Sequence, residues 1–192
     1  MRRLPIIPTL IVLAAVALMI RLGFWQIERL HQKEALITRA QAALRMNAEA
    51  PWPRDKSEVD GVLYRHTRIE CVRIVDQTAT SGQNAKGEAG WAQVANCVLA
   101  GGGVARVVLG WSPQPPKAQW QGGPVAGIIA PGPRLVAVPA QAGLAENALP
   151  DPANLPNNHL SYAVQWFLFA VVALVIYGLA VRKRLAVPGP PR

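Results

Sequence analysis

The imidazole of His159, at the start of the last apolar run, is the side chain in this sequence best suited to bind a ligand. Residues 160–181 carry no charge, and roughly 20 apolar residues suffice for a helix to cross a bilayer. On such a helix, Tyr162 and Trp166 share a face with His159. An ionisable side chain at the edge of a membrane span is a candidate functional group when a partner can be named. The simpler alternative is an interfacial histidine that bonds only to backbone.

Other residues that could do chemistry are few. His31 follows the first apolar run, where we expect it to face solvent, and His66 lies in a predicted strand, where an ordinary sheet position is the simpler interpretation. Gly101-Gly102-Gly103 lacks the lysine and the following helix of a phosphate-binding loop. The sequence contains no HExxH, CxxC or CxxCH motif and no nucleophile elbow around Ser81 or Ser112. These absences predict that the protein is not an enzyme.

Two apolar runs are the elements that must position His159. The first, residues 4–20, is near the minimum length for a span, and residues 22–25 extend it once Arg21 reaches back to the interface. A cleaved signal peptide is the rival interpretation. Bulky residues rather than a clear small-residue cleavage site follow the run, which favours an uncleaved anchor.

Most of the net charge of +9 comes from basic residues that flank the two apolar runs. Residues 22–159 are close to neutral, which argues against a nucleic-acid-binding domain. Basic residues at both termini predict, by the positive-inside tendency, a bacterial inner-membrane protein with both ends cytoplasmic and a periplasmic domain between them. The basic residues that flank the two apolar runs are Arg2, Arg3, Arg21, Arg182, Lys183, Arg184 and Arg192.

The region between the spans is predicted to be rich in β-strands. Short apolar or alternating stretches with glycine and proline turns are typical of a small antiparallel sheet or barrel. The predicted fold class is therefore membrane α+β, with two transmembrane helices forming a hairpin around one small, mainly antiparallel β extracytoplasmic domain. The predicted strands are residues 62–75, 91–99, 104–111, 125–129 and 135–138, with a polar connector at 54–61, a polar loop at 81–90 and a polar tether at 140–156.

These elements give a predicted order of segments along the chain. The domain-level prediction is an N-terminal transmembrane anchor at 1–25, a linking helix at 26–50, a periplasmic β-rich domain with its tether at 51–156, a C-terminal transmembrane helix at 157–181 and a basic cytoplasmic tail at 182–192.

The chain has two cysteines, Cys71 and Cys97, which are far apart in sequence and so do not form a redox motif. If the predicted hairpin turns near Asn84, the two lie equally far from its centre and their side chains meet across the strands. An extracytoplasmic compartment would permit a disulfide there. A different register would leave two free thiols.

Three motifs give the sequence a resemblance to a known family. They are LGFWQ at residues 22–26 followed by Arg29, Leu30 and Lys33, LGWSP at 109–113, and NHLSYAVQWF at 158–167. Together with the two-span hairpin, and in this order along nearly the whole chain, they resemble the Surfeit-locus-one (Surf-one) family. Members of that family are cytochrome c oxidase assembly factors of bacterial and mitochondrial inner membranes.

The resemblance implies a non-enzymatic factor that helps to place haem a in oxidase subunit I, receiving it from haem a synthase. Some members of the family are proposed to bind haem a directly, and His159 at the membrane surface could supply the imidazole that haem iron needs. Tyr162 and Trp166 would then wall the porphyrin, while Trp25 and Gln26 lie at the corresponding level of the first span. Arg29 would meet either a haem propionate or a membrane phospholipid.

Two other interpretations compete with haem handling. One is a structural scaffold that holds oxidase subunits during assembly without touching haem, with His159 only capping its helix or contacting a partner helix. The other is a membrane-anchored enzyme, which the lack of any nucleophile, metal set or acid–base pair disfavours. A haem absorption spectrum with and without His159 separates the first two.

Overall fold

The computed structural model describes residues 5–115 and 119–186, which fall into two compact units. One unit comprises Met1–Leu36 and Pro156–Arg192, and the other comprises Ile37–Leu155. Arg2, Arg3 and Arg192, on which the topology prediction partly rests, lie outside the described residues.

Two long helices, α1 (Ile6–Leu44) and α3 (His159–Ala186), make up the first unit, except that α1 from Ile37 onward belongs to the second unit. At 1.5 Å per residue, the 39 residues of α1 span about 58 Å, roughly twice the thickness of a hydrocarbon core. Pro8 falls in the first turn of α1. Backbone N–H groups in that turn have no carbonyl partner within the helix, so a proline there costs no hydrogen bond. Both helices are long and apolar enough to cross a membrane, as predicted.

Small side chains are buried where α1 and α3 meet, and large ones face outwards. Ala163 and Ala170 are the buried residues of α3 and lie seven residues apart. Val16 and Gly23 of α1 are buried at the same spacing. A repeat of seven places residues on one seam of a helix pair, as in left-handed helix packing.

The second unit is a closed five-stranded barrel in the order β1-β2-β3-β5-β4. All neighbours are antiparallel except β3 and β5, which run parallel. The predicted fold class, two membrane helices around a small and mainly antiparallel β domain, is therefore confirmed. The strands are β1 (His66–Gln83), β2 (Ala89–Leu99), β3 (Val104–Ser112), β4 (Gly123–Ala130) and β5 (Arg134–Ala137).

The barrel interior is filled by alternating side chains of its strands. Val107 and Leu109 of β3 and Leu135 of β5 are fully buried in one apolar cluster. Gly127 permits β4 to approach β5, because a Cβ there would lie 2.0 Å from the carbonyl oxygen of Val136. Closure removes exposed strand edges, which otherwise favour aggregation.

Two predictions of irregular segments, the connector at 54–61 and the loop at 81–90, were wrong in detail. Most of the predicted connector at 54–61 is a helix, α2 (Lys56–Val62), so the first strand begins at His66 rather than at residue 62. The Asp55 carboxylate caps α2, and the Ser57 hydroxyl and backbone N–H, both donating to it, hold the pKa of Asp55 below its usual value.

Half of the predicted loop at 81–90 is strand, since β1 continues to Gln83 and β2 begins at Ala89. The predicted tether is not free either. Its backbone pairs with the barrel at Asn147, opposite Asn84, and at Ala145, opposite Trp111. These polar stretches make ladder hydrogen bonds that their composition does not reveal.

The cysteine register was also predicted wrongly. Cys71 pairs with Leu99, and Cys97 pairs with Ile74. The hairpin turns around Lys86 rather than Asn84, since Gln83 pairs with Ala89, and two irregularities in β1 then move the register part of the way back. Cys71 and Cys97 are therefore diagonal neighbours rather than direct opposites. Their Cα atoms lie 5.6 Å apart, and the structure joins the two residues in a disulfide.

Candidate functional site

The candidate site lies in the helical unit, where the first residue of α3 meets α1. His159 Nδ1 lies 2.7 Å from Oε1 of Gln26. An amide oxygen only accepts hydrogen bonds, so this contact is a hydrogen bond in the tautomer that carries its hydrogen on Nδ1. In the neutral imidazole this leaves Nε2 with a free lone pair, which is the form that ligates metals.

Local sequence explains why α3 begins at His159. Pro156 disfavours helix in the residue before it and is followed by two asparagines. The carbonyl of Asn158 then accepts two bonds, from the Tyr162 N–H at 3.3 Å and from the Ser161 hydroxyl at 2.8 Å. The histidine is thus fixed in the first turn, at the edge of the uncharged part of the helix.

Arg29 and Trp25 form a separate contact on α1. The guanidinium carbon of Arg29 lies 5.5 Å from the centroid of the Trp25 ring, within the range of a cation–π interaction. Arg29 also donates to Oε1 of Gln32 at 2.9 Å. Since Trp25 is about half exposed, this pair presents an apolar ring and a cation side by side on the helix surface.

Tyr162 and Trp166 take different environments. Tyr162 is 50% exposed, whereas Trp166 packs edge-to-face on Phe169 with ring centroids 6.2 Å apart. Within the described part of the chain, neither residue hydrogen-bonds to His159, and Gln26 is the site residue that the structure joins to it.

Two contacts that our sequence reasoning did not find also join α1 to α3. The rings of Phe24 and Phe167 meet edge-to-face at 5.4 Å, with Phe167 over Gly23. Near the other ends of the helices, the hydroxyls of Thr9 and Tyr177 share a short hydrogen bond. The signal that would have revealed this seam is the spacing of seven that links Thr9 to Val16 and Gly23.

A bare metal ion has no site in the described residues, because they contain no cluster of three or more histidine, cysteine or acidic side chains that could hold one. A single imidazole suits a metal whose other coordination positions are filled by a cofactor. Haem is an example, because one protein side chain serves there as an axial ligand.

Comparison with known proteins places the chain in a family. A model described as the SURF1 family matches residues 13–171, which include most of α1, the whole barrel and the start of α3. The chain belongs to the SURF1 family. Members of the SURF1 family are cytochrome c oxidase assembly factors. No curated protein matches the chain. The family match includes both Gln26 and His159.

Proposed function

We propose that this SURF1-family protein holds haem a as cargo during its delivery to oxidase subunit I, with His159 as the iron ligand. The observation that carries the proposal is the hydrogen bond between His159 Nδ1 and Gln26 Oε1. Metal-ligating histidines commonly donate their second ring N–H to a fixed acceptor, which sets the tautomer and the ring orientation. Gln26 is such an acceptor.

The surface beside His159 suits a flat amphiphilic ligand. The half-exposed rings of Trp25 and Tyr162 offer apolar area at the membrane-spanning part of the helices. Arg29 supplies a cation for a propionate, although it is engaged with Trp25 and Gln32 and would have to turn from them. Haem a then supplies the iron, and this chain supplies an imidazole of fixed orientation.

The proposed setting is the bacterial inner membrane, with both termini cytoplasmic and the barrel in the periplasm. This orientation rests on the basic residues outside the two apolar runs. The proposed partners are oxidase subunit I and haem a synthase, with membrane lipid around the helices. The protein acts as a chaperone-like carrier rather than as a catalyst.

A structural scaffold is the second candidate, and the same hydrogen bond favours it. Gln26 already satisfies one polar atom of His159, so the pair can serve purely as a clamp between two helices. Interhelical polar pairs of this kind stabilise membrane helix packing by about 1 kcal/mol. In that case the protein holds oxidase subunits together and carries no haem.

The deciding experiment measures the haem-to-protein ratio of the full-length protein co-expressed with the enzymes of haem a synthesis. We expect His159→Ala to abolish haem retention and Gln26→Leu to weaken haem affinity about 10- to 100-fold, the usual cost of losing the group that orients a ligand. His31→Ala is the matched control, because His31 is an exposed histidine of α1.

Capture of subunit I separates the two candidates. If the protein is a haem carrier, the His159→Ala variant should still capture subunit I but leave it underfilled with haem. A haem ratio unchanged by His159→Ala would contradict ligation. If subunit I capture then falls equally in His159→Ala and Gln26→Leu, the pair is a scaffold clamp.

A further inference from the structure

A groove on the outer face of the barrel has the chemistry of an anion-binding site. It has a volume of about 500 Å³ and runs across β1, β2, β3 and β5. Its floor is apolar, because Val94, Val108 and Val136 lie on it and are buried together in a cluster of their own. The groove belongs to the barrel unit, and its function is independent of haem handling.

Two arginines stand side by side in this groove. Arg106 of β3 and Arg134 of β5 are register partners on adjacent parallel strands, and both are exposed. Arg134 donates one bond, to the carbonyl of Pro131 at 2.8 Å. Arg106 has no hydrogen-bond or ion-pair partner among residues 5–115 and 119–186. Like charges placed opposite each other destabilise a sheet, so this pair favours an anion between them.

No carboxylate in the described chain lines the groove to neutralise them. The nearest acidic group along the same row of the sheet is Asp76, two strands from Arg106. Its carboxylate already accepts a hydrogen bond from Asn96 Nδ2 at 2.8 Å. Asp151 lines a neighbouring pocket together with Arg134, but its carboxylate accepts from the Ala153 N–H at 2.8 Å and forms no ion pair with Arg134 within the described residues. The positive charge of the two guanidiniums is therefore available to a ligand.

A buried donor supports the same conclusion independently. Asn147 lines the groove, is only 6% exposed, and its Nδ2 finds no acceptor in the described structure. The backbone beside Asn147 is held in place, since the N–H of Ala85 donates to the carbonyl of Glu146 at 3.2 Å and the N–H of Ala148 donates to the carbonyl of Gln83 at 2.8 Å. A buried donor without an acceptor destabilises the fold. Because Nδ2 is closed off from solvent, an anionic oxygen in the groove satisfies it once the Asn147 side chain rotates toward the ligand.

We propose that this groove binds a small ligand with an anionic oxygen group, a carboxylate or a phosphate, attached to an apolar body. The anionic oxygens accept from the guanidiniums of Arg106 and Arg134 and from Asn147 Nδ2. Planar guanidiniums match the two oxygens of such groups, and charge-assisted bonds of this type are roughly twice as strong as neutral ones. The apolar body covers the valine floor.

The test titrates the purified full-length protein in lipid nanodiscs with three probes, using calorimetry against empty nanodiscs. The probes are 3-phenylpropionate, phenyl phosphate and the uncharged 3-phenylpropanol. We expect at least one of the two anions to bind and the alcohol to bind at least about tenfold more weakly, because it lacks the charge-assisted bonds. Whether the carboxylate or the phosphate binds more tightly identifies the source of the natural anion.

Variants assign the binding to the groove. The double variant Arg106→Gln/Arg134→Gln should lose about tenfold or more in anion affinity, and both residues are exposed, so the fold is preserved. Arg73→Gln is the matched control, since Arg73 is an exposed arginine of β1 outside the groove. The amide signal of the Asn147 side chain in NMR spectra should shift when the anion binds.

Three results would overturn the proposal. They are no binding of either anion, equal binding of 3-phenylpropanol, and an equal loss of affinity in Arg73→Gln. The last result would mean that the overall charge of the barrel, rather than this groove, attracts anions.

Discussion

The barrel buries large apolar side chains of a kind that the helical unit leaves exposed. In the barrel, Leu109 and Leu135 are fully buried, as expected for a core that excludes water. In the helical unit the buried positions are small, such as Ala163 and Ala170, whereas Leu179 is 60% exposed. Lipid is as apolar as leucine, so burying a leucine between membrane helices gains little, and close approach through small residues matters more.

Polar contacts differ between the two units in the same way. Within the barrel, buried backbone N–H and C=O groups pair in the ladders between strands. These hydrogen bonds hold the backbone along the whole length of each strand. In the helical unit, the polar side-chain contacts between α1 and α3 come at widely separated levels, Thr9 with Tyr177 and Gln26 with His159. Such pairs fix the register of two helices that apolar contacts alone would leave free to slide.

The largest expected effect is on the packed core of the barrel. Leu109→Ala should lower the free energy of unfolding of the barrel by about 2–5 kcal/mol, because it leaves a cavity in a fully packed core. Urea denaturation followed by tryptophan fluorescence measures the change. Leu179→Ala, the same substitution on the exposed face of α3, should change stability by well under about 1 kcal/mol. Similar losses in both variants would contradict the contrast.

The next prediction concerns the cross-link that only the barrel has. Replacing both cysteines, Cys71→Ala/Cys97→Ala, should lower the unfolding free energy of the barrel by about 3 kcal/mol, since a link across 26 residues restricts the unfolded chain. The same urea denaturation measures it, and the double replacement avoids a leftover thiol.

The cross-link also reports the compartment. Alkylation of the mature protein without reductant, followed by mass spectrometry, should label neither cysteine if the barrel is periplasmic. Two fully labelled thiols would contradict both the disulfide and the proposed orientation.

The sequence predicted the two helices and the β domain because their signals are local. An uncharged run such as residues 160–181 needs no tertiary contact to be interpreted as a span. The central strands likewise carry their own pattern, as Val104–Ser112 shows. The Gln26–His159 contact was only partly predictable. The two motifs place both residues at the same depth in the membrane, but they do not show that the two side chains form a hydrogen bond.

What could not be predicted depends on pairing over long distances. The cysteine register depends on where the hairpin turns, around Lys86 rather than Asn84, and on two irregularities in β1 that nothing in the local composition marks. The parallel pairing of β3 with β5, which closes the barrel, likewise joins strands that are not consecutive. The anion-binding groove is a consequence of that pairing, because Arg106 and Arg134 become neighbours only when these two strands meet.

The smallest expected effect tests the helical side of the comparison. A Cβ at Gly23 would lie 2.6 Å from Cε1 of Phe167, so Gly23→Ala forces the two helices apart or displaces the ring. Such overpacking should cost about 1–3 kcal/mol at the contact, even though alanine is the better helix former. Thermal unfolding in detergent measures the loss.

Gly178 of α3 provides the matched control for this substitution. A Cβ at Gly178 meets no atom within 4 Å, so Gly178→Ala should be neutral or stabilise the helix by up to about 1 kcal/mol through helix propensity alone. Cross-linking of Thr9→Cys to Tyr177→Cys with a short bifunctional thiol reagent then tests the seam directly, because the Thr9 and Tyr177 hydroxyls are in contact while the tyrosine side chain spans most of the gap between the helices. Its yield should fall in Gly23→Ala and stay unchanged in Gly178→Ala. If both alanines leave stability and cross-linking unchanged, close approach at Gly23 does not hold α1 against α3, and the polar pairs alone fix their register.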